Sequence, residues 1–239
     1  MVKVALFVPC YMAALRPGDG THALRVLERL GDEVTTIAGP CCGQPAFNSG
    51  YRTEAKSVGR ALLRAVRGHR IVVVPSGSCT SMVQHYLPGL WAGPRGASIH
   101  RMSERFIEFG AYVAAHPKMP ELPLRLPGAV AYHDSCHGRR ELGLTEGAIS
   151  LLEQVEGLDV RRLSYEAECC GFGGTFTLKE PEVSVAMAKA KLADVESRGV
   201  RVLVSGDLSC LAHLEVTARA IDQPLETWTL AELLDRAIT

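Results

Sequence analysis

The cysteines of this 239-residue chain constrain its fold more than any other feature, because they recur in two sets with nearly the same spacing. Each set contains a single cysteine, an adjacent Cys-Cys pair followed by glycine, and another single cysteine. The first members of the two sets lie 126 residues apart and the last members 131. The eight positions are Cys10, Cys41, Cys42, Cys79, Cys136, Cys169, Cys170 and Cys210. The chain therefore carries one motif twice, and no cysteine lies outside it.

A disulfide framework is the first alternative for an even number of cysteines. Such frameworks belong to small secreted domains, whereas this chain is 47% hydrophobic and long enough to bury a core without cross-links. Adjacent cysteines could bridge each other only through a strained ring. A redox-active dithiol is also disfavoured, because neither half contains Cys-x-x-Cys. We interpret the thiols as ligands of soft metal ions or iron–sulfur clusters, with one site in each half.

Charge and hydrophobicity exclude other classes of protein. The 26 basic and 26 acidic side chains cancel, and no basic patch indicates a nucleic acid partner. No stretch of about 18 apolar residues predicts a membrane span. The apolar run at residues 4–8 is too short for a signal peptide and predicts a buried first strand. We expect a soluble protein of the reducing cytoplasm.

Strand and helix patterns alternate in both halves and predict an α/β fold. Helical spacing predicts helices over residues 21–30 and 51–67, and amphipathic helices over 104–109 and 231–235 at the ends of the halves. Strand-like runs that lead into the cysteine motifs lie at residues 3–8, 33–37, 69–74, 129–132, 160–163 and 201–204.

Prolines between residues 117 and 127 mark a boundary near residue 125. The sequence therefore predicts two similar tandem α/β repeats with mainly parallel sheets. We expect a first domain over residues 1–122 and a second over residues 127–239.

The repeated order of strand and then cysteine has a chemical consequence. Ligands of open α/β sheets bind beyond the carboxyl ends of the strands, so three strand ends in each half would bring four thiols together. Cys79 and Cys210 are also predicted to lie where a helix begins, a position that favours a thiolate. Four thiolates in one pocket require a cation or a cluster to offset their charge.

The spacing separates zinc from iron–sulfur clusters only in part. Structural zinc sites are usually built from two short cysteine knuckles, whereas these ligands lie far apart along the chain. An adjacent Cys-Cys pair suits a cluster in which several metals each take one thiolate. The spacing favours iron–sulfur clusters, and zinc stays open as the alternative.

Four local segments resemble one known family. These are Pro-Cys-Cys-Gly-Gln-Pro at 40–45, His-Asp-Ser-Cys-His at 133–137, Glu-Cys-Cys-Gly-Phe-Gly-Gly at 168–174 and Ser-Cys-Leu-Ala-His at 209–213. They resemble the lactate-utilisation protein A family of cysteine-rich CCG-domain iron–sulfur proteins. The resemblance covers essentially the whole chain and implies two CCG-type domains. It further implies that the four cysteines of each half bind a cluster of 4Fe-4S type.

The resemblance also implies a function. The chain would be an iron–sulfur electron-transfer subunit of a complex that oxidises L-lactate to pyruvate, beside companion subunits of which one has ferredoxin-like clusters. Oxidation of a 2-hydroxy acid removes two electrons and the chain has no dinucleotide fingerprint, so we expect an oxidoreductase subunit that is not active alone. The alternatives are a subunit of a glycolate oxidase or heterodisulfide-reductase-like complex, and a zinc-bound assembly module without redox activity.

Some other residues near the motifs have open roles. The heterodisulfide reductase branch has a fifth cysteine where this chain has Met82 and His213, and His213 could replace a thiolate whereas Met82 is a poor donor to iron. His133 and His137 could offset thiolate charge or bind a carboxylate, or His133 and Asp134 could cap a turn.

Two further segments are interpreted as structural. Gly-Phe-Gly-Gly at residues 171–174 does not match a nucleotide-binding loop and predicts close backbone packing around the cluster. Lys189 and Lys191 are expected on a solvated helix face.

Overall fold

The computed structural model describes residues 1–239 and contains two four-stranded parallel sheets. The strands of the first half are β1 (Lys3–Val8), β2 (Glu33–Ala38), β3 (Val72–Val74) and β4 (Phe106–Glu108). Those of the second half are β5 (Arg125–Tyr132), β6 (Glu156–Arg162), β7 (Val202–Ser205) and β8 (Glu226–Thr229). The sheets have the orders β2-β1-β3-β4 and β6-β5-β7-β8, and every neighbouring pair is parallel. The predicted α/β architecture of two similar repeats is confirmed.

Helices connect the strands in both halves. The first half contains α1 (Cys10–Leu15), α2 (Pro17–Arg29), α3 (Gln44–Asn48), α4 (Arg52–Ala65), α5 (Gly77–Ser81), α6 (Gly93–Ser103) and α7 (Phe109–Ala114). The second half contains α8 (Cys136–Arg140), α9 (Thr145–Glu153), α10 (Phe176–Lys179), α11 (Pro181–Ser197), α12 (Leu208–Ala220) and α13 (Leu230–Ala237). A π-helical turn over Met82–Tyr86 extends α5, and short 3-10 turns lie at Pro88–Leu90 and Met119–Glu121. None of these helices combines the length and the apolar composition needed to cross a lipid bilayer.

Strand β1 buries both of its faces, which explains its nearly continuous apolar sequence. Alternate side chains of a strand point to opposite faces of the sheet. Val4 and Leu6 belong to the larger of two hydrophobic cores, whereas Ala5 and Phe7 belong to a smaller core of the first half. The smaller core also contains Leu62 of α4. The first sheet is therefore covered on both faces.

The larger core joins the two halves. Leu6 and Leu27 of the first half share it with Leu203 and Leu233 of the second. Helix α13 carries much of this contact, since it packs against α2 and α7 as well as against β5 and β7. The two halves thus bury apolar surface against each other, and their division into domains over residues 1–122 and 127–239 stays a prediction.

The amphipathic helix predicted over residues 104–109 is wrong. Residues Phe106–Glu108 form β4, whose Phe106 lies beside Val72 of β3, and helix α7 begins only at Phe109. Glu108 caps α7 by accepting a hydrogen bond from the Ala111 N–H at 3.0 Å. Phe106 and Phe109 have the spacing of one helix face. So short an apolar run does not distinguish the periodicity of a helix from that of a strand.

In the corresponding region of the second half, the predicted helix is confirmed but one strand is missing from the prediction. The helix over residues 231–235 is confirmed within α13, whereas the strand β8 that precedes it was not predicted. The strand predicted over residues 69–74 is shorter, since only Val72–Val74 form β3.

Burial of Glu108 affects the pKa of its carboxyl group. The residue is 5% exposed, and desolvation raises its pKa from 4.5 to about 7, against the opposing effect of the Ala111 and Gly110 N–H groups. The folded chain holds this proton more tightly than the unfolded chain. The resulting stabilisation is complete below about pH 4.5 and is lost as the pH rises through about 7.

Replacing Glu108 with Gln should remove this loss, because the amide keeps an acceptor for Ala111 but does not ionise. The free energy of unfolding of the wild type should fall by roughly 3 kcal/mol relative to E108Q as the pH rises from 4.5 to about 8. Denaturant unfolding of anaerobically purified protein at a series of pH values measures the difference. The exposed Glu104 provides the control, and E104Q should keep the wild-type pH dependence. Parallel profiles for E108Q and the wild type would contradict the assignment.

Candidate metal centre

All eight cysteines line a single cavity of about 210 Å³ to which both halves contribute. The cysteines lie where the sequence predicts, beyond the carboxyl ends of strands. Cys10 and Cys136 begin helices α1 and α8 just after β1 and β5, and Cys79 and Cys210 lie in the first turns of α5 and α12. All eight are free thiols. The structure thus brings all the predicted ligands together, while their binding of a metal stays a prediction.

The sulfur atoms of the first half are in mutual contact. The Cys42 thiol donates to the Cys79 sulfur at 3.3 Å, and both side chains are buried. Hydrogen bonds from Cys10 and then Cys42 lower the pKa of the Cys41 thiol, and the Gly43 N–H adds another at 3.4 Å. The same contact with Cys41 raises the pKa of Cys10. These hydrogen bonds favour the thiolate at Cys41 and the thiol at Cys10 and Cys42.

The second half repeats this arrangement. Hydrogen bonds from Cys136 and then Cys170 lower the pKa of the Cys169 thiol, and the Gly171 N–H donates to its sulfur at 3.4 Å. Contacts with Cys169 and Cys210 raise the pKa of the buried Cys170. Neighbouring thiolates repel each other strongly where water is excluded. A set of four free sulfurs this close is suited to a metal centre that displaces the protons.

The glycine after each Cys-Cys pair is required by the backbone. Gly43 and Gly171 have φ angles of +93° and +91°, in the left-handed region that side chains disfavour. A β-carbon at Gly171 would lie 2.4 Å from the carbonyl oxygen of Ser184, and one at Gly43 would lie 3.1 Å from that of Ala55. Gly173 also has a positive φ, and a β-carbon there would lie 2.7 Å from the β-carbon of Phe176, so this loop is closely packed at Gly173. Its packing around a cluster stays a prediction.

A buried carboxylate links the two sets of cysteines. Asp207 is 1% exposed and precedes the helix that carries Cys210. It accepts hydrogen bonds at 2.8 Å from the Tyr11 hydroxyl and from the Ser78 N–H, both in the first half. Its own half contributes the Ser209 hydroxyl, also at 2.8 Å. Ser76, which caps α5, completes the network with a hydrogen bond to Asp207 at 3.4 Å.

A histidine that the sequence did not single out as a ligand lies beside the second set. A nitrogen of His133 and the sulfurs of Cys170 and Cys210 all lie within 4.8 Å of one another. Burial lowers the pKa of His133 to about 4, so the ring is neutral. Ser135, and neither His133 nor Asp134, caps α8. One feature of the sequence could have indicated this. His133 lies three residues before Cys136, whereas the equivalent position of the first half, three residues before Cys10, is Phe7.

The other side chains considered as donors have different environments. The Nε2 atom of His213 lies 3.2 Å from the Ser184 hydroxyl, and Met82 is fully buried in the smaller core. His137 lies beside the first thiol of the second set, with 3.5 Å between its Nδ1 and the Cys136 sulfur. Its Nε2 is 3.3 Å from the Gln44 amide nitrogen, across the two halves.

The prediction of a solvated face for Lys189 and Lys191 is half wrong. Lys189 is exposed, whereas Lys191 is 1% exposed and donates to the Tyr165 carbonyl oxygen. Burial lowers the pKa of its ammonium group, against the opposing effect of Asp194 and Glu168 and then of Cys170 and Cys169. The alternation of charged and apolar residues in α11 gave no sign of this burial, which depends on the loop that packs over the helix.

Comparison with known proteins agrees with the double motif. The family model "CCG: Cysteine-rich domain" matches residues 4–84 and 130–215. Lactate utilization protein A 1 of Bacillus anthracis is 33% identical over 241 residues, which cover 99% of both chains. Lactate utilization protein A of Oceanobacillus iheyensis is 35% identical over 98% of this chain and 97% of its own length. The chain belongs to the lactate utilization protein A family.

A solved structure of very different sequence has a similar fold. A crystal structure of a hypothetical protein from Helicobacter pylori superimposes with a TM-score of 0.68 over 99% of this chain and 50% of that chain. The sequence identity is 10%, so the likeness concerns the fold alone. The lactate utilization protein A family therefore shares its two-sheet scaffold with at least one protein of very different sequence.

Substitution of Gly171 by Ala should disrupt the second Cys-Cys turn, because the new β-carbon would collide with the Ser184 carbonyl oxygen in a strained backbone conformation. We expect G171A to lose metal from the second half and to unfold at a lower temperature than the wild type. Metal analysis and thermal unfolding measure the two effects. Gly174 also has a positive φ, but a β-carbon at Gly174 would have no other atom within 4 Å, so G174A should cost less. Equal effects of the two variants would contradict the steric explanation.

Substitution of Asp207 by Ala should weaken the contact between the halves, since it removes the acceptor of the Ser78 N–H and leaves the Tyr11 hydroxyl with Ser76 of its own half as its partner. The free energy of unfolding should fall by about 2 to 3 kcal/mol. Denaturant unfolding provides the measurement. The exposed Asp159 is the control, and D159A should unfold within about 0.5 kcal/mol of the wild type. A D207A variant as stable as D159A would show that the network contributes little.

Proposed function

We propose that this chain is the iron–sulfur electron-transfer subunit of a cytoplasmic complex that oxidises L-lactate to pyruvate. The observation that carries the proposal is the convergence of two sets of four free thiols on one cavity. This convergence occurs in a chain whose curated relatives are named for lactate utilization. Eight free thiols also suit a reducing compartment.

The donor set fits iron–sulfur clusters. Cys10, Cys41, Cys42 and Cys79 would hold a cluster of 4Fe-4S type in the first half, and Cys136, Cys169, Cys170 and Cys210 one in the second. A bound cluster of this kind supplies one-electron transfer. Zinc would satisfy the same thiolates but would leave the protein without redox activity.

The residues around the thiols have three tasks in this proposal. The apolar cores that contain Cys42, Cys79, Cys170 and Cys210 keep water from these sulfurs. The N–H groups of Gly43 and Gly171 donate to the thiolate of each turn. The buried ammonium group of Lys191 offsets negative charge beside Cys169 and Cys170.

The proposal requires companion subunits. Conversion of lactate to pyruvate releases two electrons and two protons, whereas a cluster accepts one electron at a time. We propose that one companion has ferredoxin-like clusters that exchange electrons with this chain, and that the complex handles the substrate jointly.

Replacement of one buried cysteine in each half tests the ligand assignment. Cys42→Ser and Cys170→Ser should each remove about half of the bound iron, because each disrupts one cluster. Iron, sulfide and zinc analysis of anaerobically purified protein measures the loss, and electron paramagnetic resonance identifies the centre that remains. The control is N48S, since Asn48 lines the same cavity but supplies no thiol. Full iron content in both cysteine variants would contradict the assignment, and zinc without iron in the wild type would favour the assembly module.

The substrate is tested by complementation of a bacterial strain that lacks its own lactate utilization protein A. The chain should restore growth on L-lactate. The double variant C42S/C170S should not, because it lacks a ligand of each cluster and cannot transfer electrons. Parallel growth on glycolate distinguishes the glycolate-oxidase alternative. Restoration on glycolate but not on L-lactate would overturn the proposed substrate.

A further inference from the structure

His133 is a buried histidine whose ring has no hydrogen-bond partner. It follows β5, and its backbone N–H donates to the Val204 carbonyl oxygen at 2.7 Å, which fixes its place beside β7. The side chain is 1% exposed, and neither Nδ1 nor Nε2 has a polar partner. Buried polar atoms in native proteins are nearly always paired, so these nitrogens call for a ligand.

The nearest candidate partner is the metal centre of the second half. One ring nitrogen of His133 and the sulfurs of Cys170 and Cys210 lie within 4.8 Å of one another. Neutral imidazole is a good ligand for iron and for zinc. A metal that contacts these two thiolates would therefore meet an imidazole nitrogen at the same place.

The first half has no such donor. Phe7 stands three residues before Cys10, as His133 stands before Cys136. Its ring is fully buried in the core that contains Cys42 and Cys79. The two halves thus offer the same thiols but differ at this one position, where one has a hydrocarbon ring and the other a nitrogen donor.

No other histidine is placed as well for the second centre. The Nε2 of His213 already lies 3.2 Å from the Ser184 hydroxyl and 3.4 Å from the Ser184 carbonyl oxygen. Both ring nitrogens of His137 have neighbours, the Cys136 sulfur and the Gln44 amide. Only His133 combines complete burial, two unpartnered nitrogens and proximity to two of the thiols.

We propose that His133 is a nitrogen ligand of the metal centre of the second half. The two centres of this chain then have different donor sets, because only the second includes an imidazole nitrogen beside its thiolates. The inference rests on the metal binding in the proposed function, but it holds for either metal.

The test is pulsed electron paramagnetic resonance of the anaerobically purified protein, after metal analysis. The reduced wild type should show hyperfine coupling to a bound ¹⁴N nucleus, and the coupling should change to that of ¹⁵N in protein labelled at histidine. His133→Phe copies the first half and should abolish the coupling while the thiol ligands remain. If the metal is zinc, X-ray absorption should show a nitrogen neighbour that is lost in H133F.

Matched variants identify the residue independently of how well H133F folds. His137→Phe and His213→Phe retain His133 and should keep the coupling. Phe7→His should add a nitrogen coupling at the first centre. A wild type that binds metal without nitrogen coupling, or a coupling lost in H137F or H213F, would overturn the inference. A wild type without bound metal would overturn the proposed function itself, so the two failures are distinguishable.

Discussion

The hydrogen bonds of Asp207 are the interaction on which the shape of the site depends. Asp207 and Ser76 hold equivalent places, since each caps the helix that carries the last cysteine of its half. Asp207 also accepts hydrogen bonds from Tyr11 and Ser78 of the other half. Charge-assisted hydrogen bonds are strong where water is excluded, so this carboxylate fixes the two helix starts relative to each other. The two sets of thiols consequently share one cavity.

The two halves keep one scaffold and differ in what surrounds the thiols. Strand order, parallel pairing and the left-handed glycine after each Cys-Cys pair are the same in both. The first set is packed by Phe7, whereas the second lies near His133 and the buried ammonium group of Lys191. A duplicated fold thus presents two chemically distinct environments, which would suit the two proposed metal centres if their properties differ.

Much of the site could be predicted because its signals are local. The run at residues 3–8 is long and apolar enough to predict β1, and the carboxyl ends of parallel strands must meet at one edge of a sheet. The convergence of the cysteines within each half follows from these two facts. The short strands Phe106–Glu108 and Glu226–Thr229 lack such a signal, because three or four residues do not define a period.

Features that depend on packing between distant segments could not be predicted. Lys191 lies in a helix with no clear apolar stripe, and only the loop around Tyr165 makes its position buried. For His133 the sequence leaves open a turn cap and a partner of the thiolates, since it does not show which way a side chain at the end of a strand points. The meeting of both sets in one cavity also depends on the contact between the halves, which no local pattern encodes.

The unequal exposure of the thiols has a consequence for survival in air. Cys10 is exposed, whereas three of the remaining cysteines are half-buried and four are buried. Oxidants attack sulfur according to its accessibility as well as its ionisation. The pKa of the exposed Cys10 is raised, whereas Cys41 and Cys169 are half-buried and have a lowered pKa. Damage by peroxide or dioxygen should therefore start at Cys41 and Cys169, one sulfur in each half, so that neither half is spared.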